Sequence, residues 1–386
     1  MDVDVVVVGG GPAGAAAAIT LGRHTSWRVA VVDRGPATGP RVGETIGAAV
    51  QAQLRYLGAE ASFLAGGHTR AWATAGAWGR DDVAWRESIV SGYGAGWHLD
   101  RARFDETLLR EAAAAGATVL RDLSVVRCVP AGGDAGQWVV DARAADGRVE
   151  QLASRFVIDA TGRAGALARQ LGARTEQVDR LAAVVGFMAA GARTREAAYT
   201  LVEAADDGWW YSSPLPDGRL VVAWLSDVDL LRDAGMTQPS AWSEQLARAR
   251  HTAARVGARV LGGPLVSRPA STRRRVIPGG PHWIAAGDAA ASFDPLSGIG
   301  IGFALHSGIH AARVANEELH GRSALRPQYV AALDATMHSF RWRSRALYAQ
   351  EQRWRDRAFW RRRITADASP RTSPPAAAAP QIADLS

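Results

Sequence analysis

Five residues near the start, Asp4-Val5-Val6-Val7-Val8, run straight into Gly9-Gly10-Gly11-Pro12-Ala13-Gly14 and then an alanine-rich stretch to about Gly22. The apolar run predicts a buried strand, and the alanines predict a helix. A second strand is expected from Trp27 to Val32. It ends in Asp33, nineteen residues after Gly14. Strand, GxGxxG, helix, strand and acid together form the fingerprint of a dinucleotide-binding βαβ unit. The glycines make the turn, admit a pyrophosphate to the backbone and let the helix pack close. Asp33 would accept hydrogen bonds from the adenosine ribose, and Arg34 follows it.

A second glycine-rich segment lies far downstream: Gly287-Asp288-Ala-Ala-Ala-Ser-Phe-Asp294-Pro295-Leu-Ser-Gly298-Ile-Gly300-Ile301-Gly302-Phe-Ala-Leu. His282 to Ala286 before it reads as a short strand, and Phe303 to about Leu319 after it has helical spacing. An acid-bearing loop therefore opens a helix whose first amides are unpaired and whose dipole favours negative charge.

Composition narrows the classes. Hydrophobic residues make up 47%, which predicts a globular chain. No apolar run is long enough to span a membrane, and no basic segment with a cleavage site precedes the first strand. A cytoplasmic location is expected. One cysteine, Cys128, forbids an internal disulfide, and without a cysteine cluster no metal site is expected. The net charge is +7, and all 45 basic residues are arginine. A chain without lysine has no Schiff base, Walker lysine or tunable ammonium. No recognition motif accompanies the positive charge, so nucleic acid is not an expected partner.

Along the chain, Val42-Gly43-Glu44-Thr45 leads into a helix near Ala48 to Leu57. Strand-like pieces with Trp72, Trp78, Trp85 and Trp97 follow. A helix is expected from Arg101 to Ala115, and a hairpin around Asp146-Gly147. Arg155 to Arg163 reads as a strand entering the turn Asp159-Ala-Thr161-Gly162. From 181 to 270 the pieces Ala182–Ala189, Ala198–Glu203, Gly208–Ser212 and Arg219–Leu225 predict an antiparallel sheet. One helix is expected from Ser240 to Arg255. An arginine-rich helical segment should run from 322 to 366, followed by a disordered tail, 367–386.

These signatures, in this order, resemble the FAD-dependent monooxygenases of the para-hydroxybenzoate hydroxylase fold. The resemblance implies an α/β chain: a Rossmann-like FAD-binding domain (1–67, 98–180 and 271–321) interleaved with an antiparallel-sheet substrate domain (68–97 and 181–270), plus C-terminal helices. It places Gly9, Gly11, Pro12, Ala13, Gly14, Asp33, Arg34, Arg41, Thr161 and Gly162 along the cofactor. Gly287, Asp288, Pro295, Gly298, Gly300 and Ile301 join them, with Asp288 on the ribityl chain. It also sets Arg101 along the ribityl or phosphate portion and Val126 beside the adenine.

The Val42-Gly43-Glu44-Thr45 and Gly208-Trp209-Trp210-Tyr211-Ser212-Ser213-Pro214 segments are similar to those of the branch containing flavin-dependent tryptophan halogenases. Those enzymes carry W-x-W-x-I-P, and two of its four fixed positions differ here. They also need a lysine downstream of V-G-E, where this chain has Gly67-His68-Thr69-Arg70-Ala71-Trp72. Arginine stays protonated and is no substitute. A closer likeness is to flavin monooxygenases that hydroxylate tryptophan within a peptide during maturation of quinone cofactors. It rests on Gly67-His68 with Ala77-Trp78-Gly79, Gly96 to Asp105, Gly208 to Arg219, Glu351 to Trp354 and Phe359 to Arg361.

That likeness implies hydroxylation of an aromatic substrate, indole or tryptophan on a peptide or carrier, through a flavin C4a-hydroperoxide. Molecular oxygen is the co-substrate, and NAD(P)H or a partner flavin reductase supplies electrons. Glu44 would contact flavin or orient substrate, or else simply pair with Arg41 or serve as a helix N-terminal charge. Trp209, Trp210 and Tyr211 would wall an aromatic ring, or else fill a core. His68 and His98 are proton donors or packed structural histidines. The arginines and tryptophans of 341–363 form a peptide surface or a solvated helix. Halogenation, double-bond reduction of the geranylgeranyl reductase type and a non-catalytic FAD-binding role are the alternatives.

Overall fold

The computed structural model describes residues 1–35, 42–87, 94–131, 137–191 and 198–364. The opening valines form the strand Asp2–Val8, buried from Val5 onward. It lies at the centre of a mostly parallel sheet in the order Gly279–Gly280, Trp283–Ala285, Val149–Asp159, Asp2–Val8, Val29–Val32, Thr118–Leu120. Such a strand is covered on both faces, which is why it reads as an unbroken apolar run. Leu123–Pro130 and Trp138–Ala144 extend the sheet antiparallel through the Asp146-Gly147 turn, farther than the expected hairpin.

Two helices pack closely against this sheet, Pro12–His24 and Gly300–Leu319. Their contact depends on Gly308, because a Cβ there would stand 2.1 Å from the Ala13 carbonyl oxygen. Gly14 holds the first helix on the sheet in the same way: its Cβ would meet the Gly9 carbonyl oxygen at 1.9 Å.

The second sheet has seven strands, in the order Val266–Pro269, Leu181–Met188, Leu220–Asp227, Gly208–Pro214, Tyr199–Ala205, Ala73–Ala77, Ala84–Glu87. Its pairs are antiparallel except Ala73–Ala77 beside Tyr199–Ala205, which is parallel. The two long central strands, Leu181–Met188 and Leu220–Asp227, are buried throughout.

The helix expected from Ser240 to Arg255 is two helices, Pro239–Ala247 and Arg250–Val256. The break at Ala249 has a cause in the sheet. The buried Glu203 carboxylate accepts from the backbone N–H of His251 at 3.0 Å and of Thr252 at 2.7 Å, and from the Thr252 hydroxyl at 2.6 Å. A carboxylate at that point creates a new helix start. The C-terminal segment is also interrupted, into Leu325–Tyr348 and Ala358–Ile364. Between them the buried Glu351 accepts from Gly79 N–H at 2.9 Å and binds Arg353.

Those last helices dock on the second sheet through aromatic rings. Trp78, Trp209, Tyr348, Phe359 and Trp360 meet mostly edge to face, with centroids 5.1–6.3 Å apart. Each indole N–H finds a partner: Trp360 donates to the Ala205 carbonyl at 2.8 Å, and Trp78 to that of Leu347 at 2.8 Å. Ring packing with satisfied polar atoms makes this a second core rather than an open surface. No helix among the described residues is long and apolar enough to cross a membrane. The expected tail, 367–386, lies outside the described residues.

Candidate functional site

The dinucleotide loop is built as a cradle. Gly9 has φ 107°, and a Cβ there would meet the Ala160 carbonyl oxygen at 2.4 Å. Gly11 has nothing within 4 Å of a notional Cβ, so its backbone is open to a ligand. Pro12 occupies the start of the helix, and Ala13 packs beneath Gly287. Asp33 sits at the end of its strand and accepts from Gly10 N–H at 3.1 Å through Oδ1. Arg34 beside it is exposed. Arg41 lies outside the described residues.

Across the cradle, the Asp159-Ala-Thr161-Gly162 turn is tied by Thr161 Oγ1 donating to Asp159 at 2.6 Å. Gly162 and Gly300 both face open space. Gly298 does too, and its φ of 66° ends the Pro295–Ser297 turn in the left-handed region. The helix beginning at Gly300 has no side-chain cap and no acid in its first turn. Its first amides are therefore available to an electron-rich ligand. Ile301 next to them is half-buried.

Asp288 lies 3.9 Å from Arg163. Burial raises its carboxyl from the ordinary value, opposed by Arg163 and Arg101. Arg101 donates to the Val42 carbonyl at 2.6 Å and to Asp105 at 3.3 Å, which pins the Val42-Gly43-Glu44 backbone. Val126 is exposed at 41%, and its carbonyl receives the Gln170 amide at 3.4 Å. Open glycines, an uncapped helix start and an acid for sugar hydroxyls fit FAD. These residues are the ones that would hold it.

A polar cluster lies between the sheets. Thr45 Oγ1 stands 3.0 Å from the Tyr211 hydroxyl, 3.2 Å from Ser213 Oγ, 3.3 Å from Thr200 Oγ1 and 3.4 Å from His98 Nδ1. Ser213 Oγ is also 2.9 Å from His98 Nδ1. Glu44 adjoins this group. It is 3% exposed, and its Oε1 is buried with no hydrogen-bond partner among the described residues. Burial pushes its carboxyl up to about 7, opposed by backbone hydrogen bonds and Arg101. Burial also pushes the Tyr211 hydroxyl well above its usual value, aided by the Glu44 charge. His98 is held down to about 4 by burial and by Arg255, so it is neutral at physiological pH. Arg255 is lowered to about 10 by burial and still carries its charge there.

Sequence reasoning singled out Glu44, Tyr211 and His98 but not Thr45, Thr200 or Arg255 as their partners. Thr200 and Arg255 stand far from the motifs in sequence, and only the sheet pairing brings them in. Trp209 and Trp210 do not make a wall. Both are fully buried, at 0% exposure. Alternation places Trp209 among Trp78 and Tyr348, and Trp210 against Trp224 and Trp242 on the other face. Tyr211 alone of the three reaches the polar cluster. His68 is a packed residue: its Nδ1 accepts from Asp100 N–H at 3.2 Å, and its ring lies 4.9 Å from Phe63. Arg70 stacks over Trp97 at 3.7 Å.

Residues 73–375 match the family described as tryptophan halogenase, and residues 4–49 match an FAD binding domain. The chain belongs to the tryptophan halogenase family. It is an FAD-dependent oxidoreductase. It is 30% identical over 362 residues to the putative FAD-dependent oxidoreductase LodB of Marinomonas mediterranea, spanning 93% of this chain and 96% of LodB. Among solved structures, QhpG, a peptidyl tryptophan dihydroxylase essential for tryptophylquinone cofactor biogenesis, is similar with a TM-score of 0.76 at 27% identity. That likeness covers 96% of this chain and 80% of QhpG. The flavin-dependent halogenase CmlS shares the fold, with a TM-score of 0.82 at 23% identity over 94% of this chain and 68% of its own.

Proposed function

We propose that this enzyme is an FAD-dependent monooxygenase that adds oxygen to an indole ring, tryptophan presented in a peptide or on a carrier. The observation that carries the reading is a tryptophan-halogenase-family chain without a single lysine. Where the halogenase branch is expected to carry that lysine, His68 and Arg70 are engaged in packing. Neither offers a free amine to handle hypohalous acid. The similarity to the peptidyl tryptophan dihydroxylase QhpG supports the same direction, and that to LodB supports an FAD-dependent oxidoreductase.

When bound, FAD reduced by NAD(P)H or a partner flavin reductase supplies the activated oxygen. The chain's own tasks are then few. Glu44 Oε1, an acceptor without a partner among the described residues, receives an indole N–H or the ring proton released on substitution. Its carboxyl near 7 suits either duty. Tyr211, Thr45 and Ser213 hold that corner in a fixed hydrogen-bond geometry, and neutral His98 completes it. Burial of the cluster keeps water from the reacting ring.

The polypeptide or carrier would lie in a groove of about 740 Å³ beside the C-terminal helices. Arg274, Arg341, Arg345, Arg363 and the exposed Trp342 line it. Ile364, which also lines it, packs on the aromatic core that Val42 and Leu296 touch too. A mostly positive lining suits an acidic partner.

The test supplies, in parallel, a tryptophan-containing peptide, a phenol or a prenyl lipid, each with a reductant, bromide and labelled oxygen gas. Products heavier by one or two oxygens, labelled in the indole, are expected. Bromine in the product would overturn hydroxylation. A product gaining only two hydrogens would assign the chain to double-bond reduction. Label in a phenol product but in no indole would overturn the substrate.

A further inference from the structure

We propose that Tyr348 is a positioning residue for the flavin loop, passing a hydrogen bond from Trp209 to Asp294 and so setting the turn that presents Gly298 and Gly300. The inference rests on FAD binding along that loop.

Asp294 opens the turn and is 3% exposed. Its Oδ1 accepts from Leu296 N–H at 2.9 Å, and its backbone carbonyl accepts from the Ser297 hydroxyl at 2.8 Å. These bonds close the turn that delivers Gly298 at φ 66° and starts the helix at Gly300. The other carboxylate oxygen, Oδ2, accepts from the Tyr348 hydroxyl at 2.6 Å. Tyr348 is the last residue of the Leu325–Tyr348 helix, 54 residues away in sequence. Its oxygen accepts in turn from Trp209 Nε1–H at 3.2 Å. One buried hydroxyl thus uses its donor on the flavin loop and an acceptor site on the second sheet.

The polarity of this chain has a physical reason. Burial pushes the Asp294 carboxyl up to about 6, and the Tyr348 hydrogen bond opposes that rise. The charged groups Arg363 and Asp179 act on it in opposite senses. An ionised carboxylate buried among aromatic rings needs strong donors, and the tyrosine hydroxyl is one of the two side-chain or backbone donors it has among the described residues. Trp209 and Tyr211 point to one face of the strand Gly208–Pro214. The same strand therefore touches the polar cluster through Tyr211 and the flavin loop through Trp209 and Tyr348.

Apoprotein of the wild type, Tyr348→Phe, Asp294→Asn and the double variant would be titrated with FAD. The visible circular dichroism of the bound flavin would be recorded for each. Phenylalanine keeps the edge-to-face packing and removes only the hydroxyl. Each single change should weaken FAD about tenfold or more, the scale of one hydrogen bond to a charged group. The double variant should be no weaker than the weaker single, and both singles should alter the flavin band alike. Trp209→Phe removes the first donor and should shift affinity in the same direction by less, which keeps the test open if Asp294→Asn fails to fold. Wild-type affinity and dichroism in Tyr348→Phe would overturn the proposal. Losses that multiply in the double variant would also overturn it, since Tyr348 would then act independently of Asp294. A wild-type protein that binds no FAD would remove the cofactor reading itself, a result distinct from both.

Discussion

Glu44 shows how one buried side chain links stability to chemistry. Its carboxyl is raised from 4.5 to about 7 because burial penalises the charge. The folded state keeps a proton there after the unfolded chain has lost its own. Stability contributed by that proton is present below about 4.5 and is lost as pH rises to about 7. Glu44→Gln cannot ionise, so its unfolding free energy should fall less than that of the wild type over this window, measured by denaturant titration at several pH values. His98 runs the other way. Its folded value near 4, below the usual 6.5, costs stability as pH falls from 6.5 to about 4. If Glu44 receives the indole N–H or the ring proton as an anion, turnover should rise through pH 7 in the wild type and lose that limb in Glu44→Gln. Asp288 makes a separate prediction. Asp288→Ala should weaken FAD by about 1.5–3 kcal/mol per lost charge-assisted hydrogen bond, read by equilibrium dialysis. Unchanged binding would remove Asp288 from the ribityl site.

The helix Gly300–Leu319 carries two kinds of glycine, and substitution should separate them. At Gly308 a new Cβ would stand 2.1 Å from backbone of the neighbouring helix, which cannot yield without moving it. Gly308→Ala should destabilise the apoprotein by roughly 1–3 kcal/mol or more, seen as a lower Tm. At Gly300 nothing lies within 4 Å of a Cβ. Gly300→Ala should leave the Tm unchanged or raise it, since alanine favours a helix by about 0.5–1 kcal/mol. It should nonetheless weaken FAD, because the methyl group enters the space by which a ligand would approach the first amides. Equal loss of Tm in both variants would contradict this division of roles.

At the scale of the whole molecule, the arginine-only charge and the groove beside the C-terminal helices set the expected behaviour toward substrates. Many of these arginines are already paired: Arg363 with Asp227 at 2.7 Å, Arg362 with Asp229 at 2.6 Å, Arg274 with Asp334 at 3.0 Å. They chiefly fasten the helices, and what they leave over is a positive rim. Added salt should therefore raise the KM of an acidic tryptophan-containing peptide more than that of free tryptophan. Identical salt responses would detach the groove from substrate binding. Supplying bromide should leave the product unbrominated at every salt concentration.

Much of this protein is legible in its sequence because the information is local. The strand–glycine–helix unit, the Asp159 turn and the Gly287–Gly302 segment each need particular residues at short range. Backbone conformation and close approach cannot be met otherwise, so these motifs declare the α/β class. What only the tertiary structure decided are the relations across sheets. Alternation along Gly208–Pro214 was readable, but not which face meets solvent, site or core; packing by Trp78, Tyr348 and Trp242 buried both tryptophans. The break at Ala249 depends on Glu203 arriving from a strand 46 or more residues earlier in the chain. The corner of Glu44, Thr45, His98, Tyr211 and Ser213 draws on three separate stretches of sequence. Its shifted acidities arise from burial, a property no single stretch possesses before the sheets close over it.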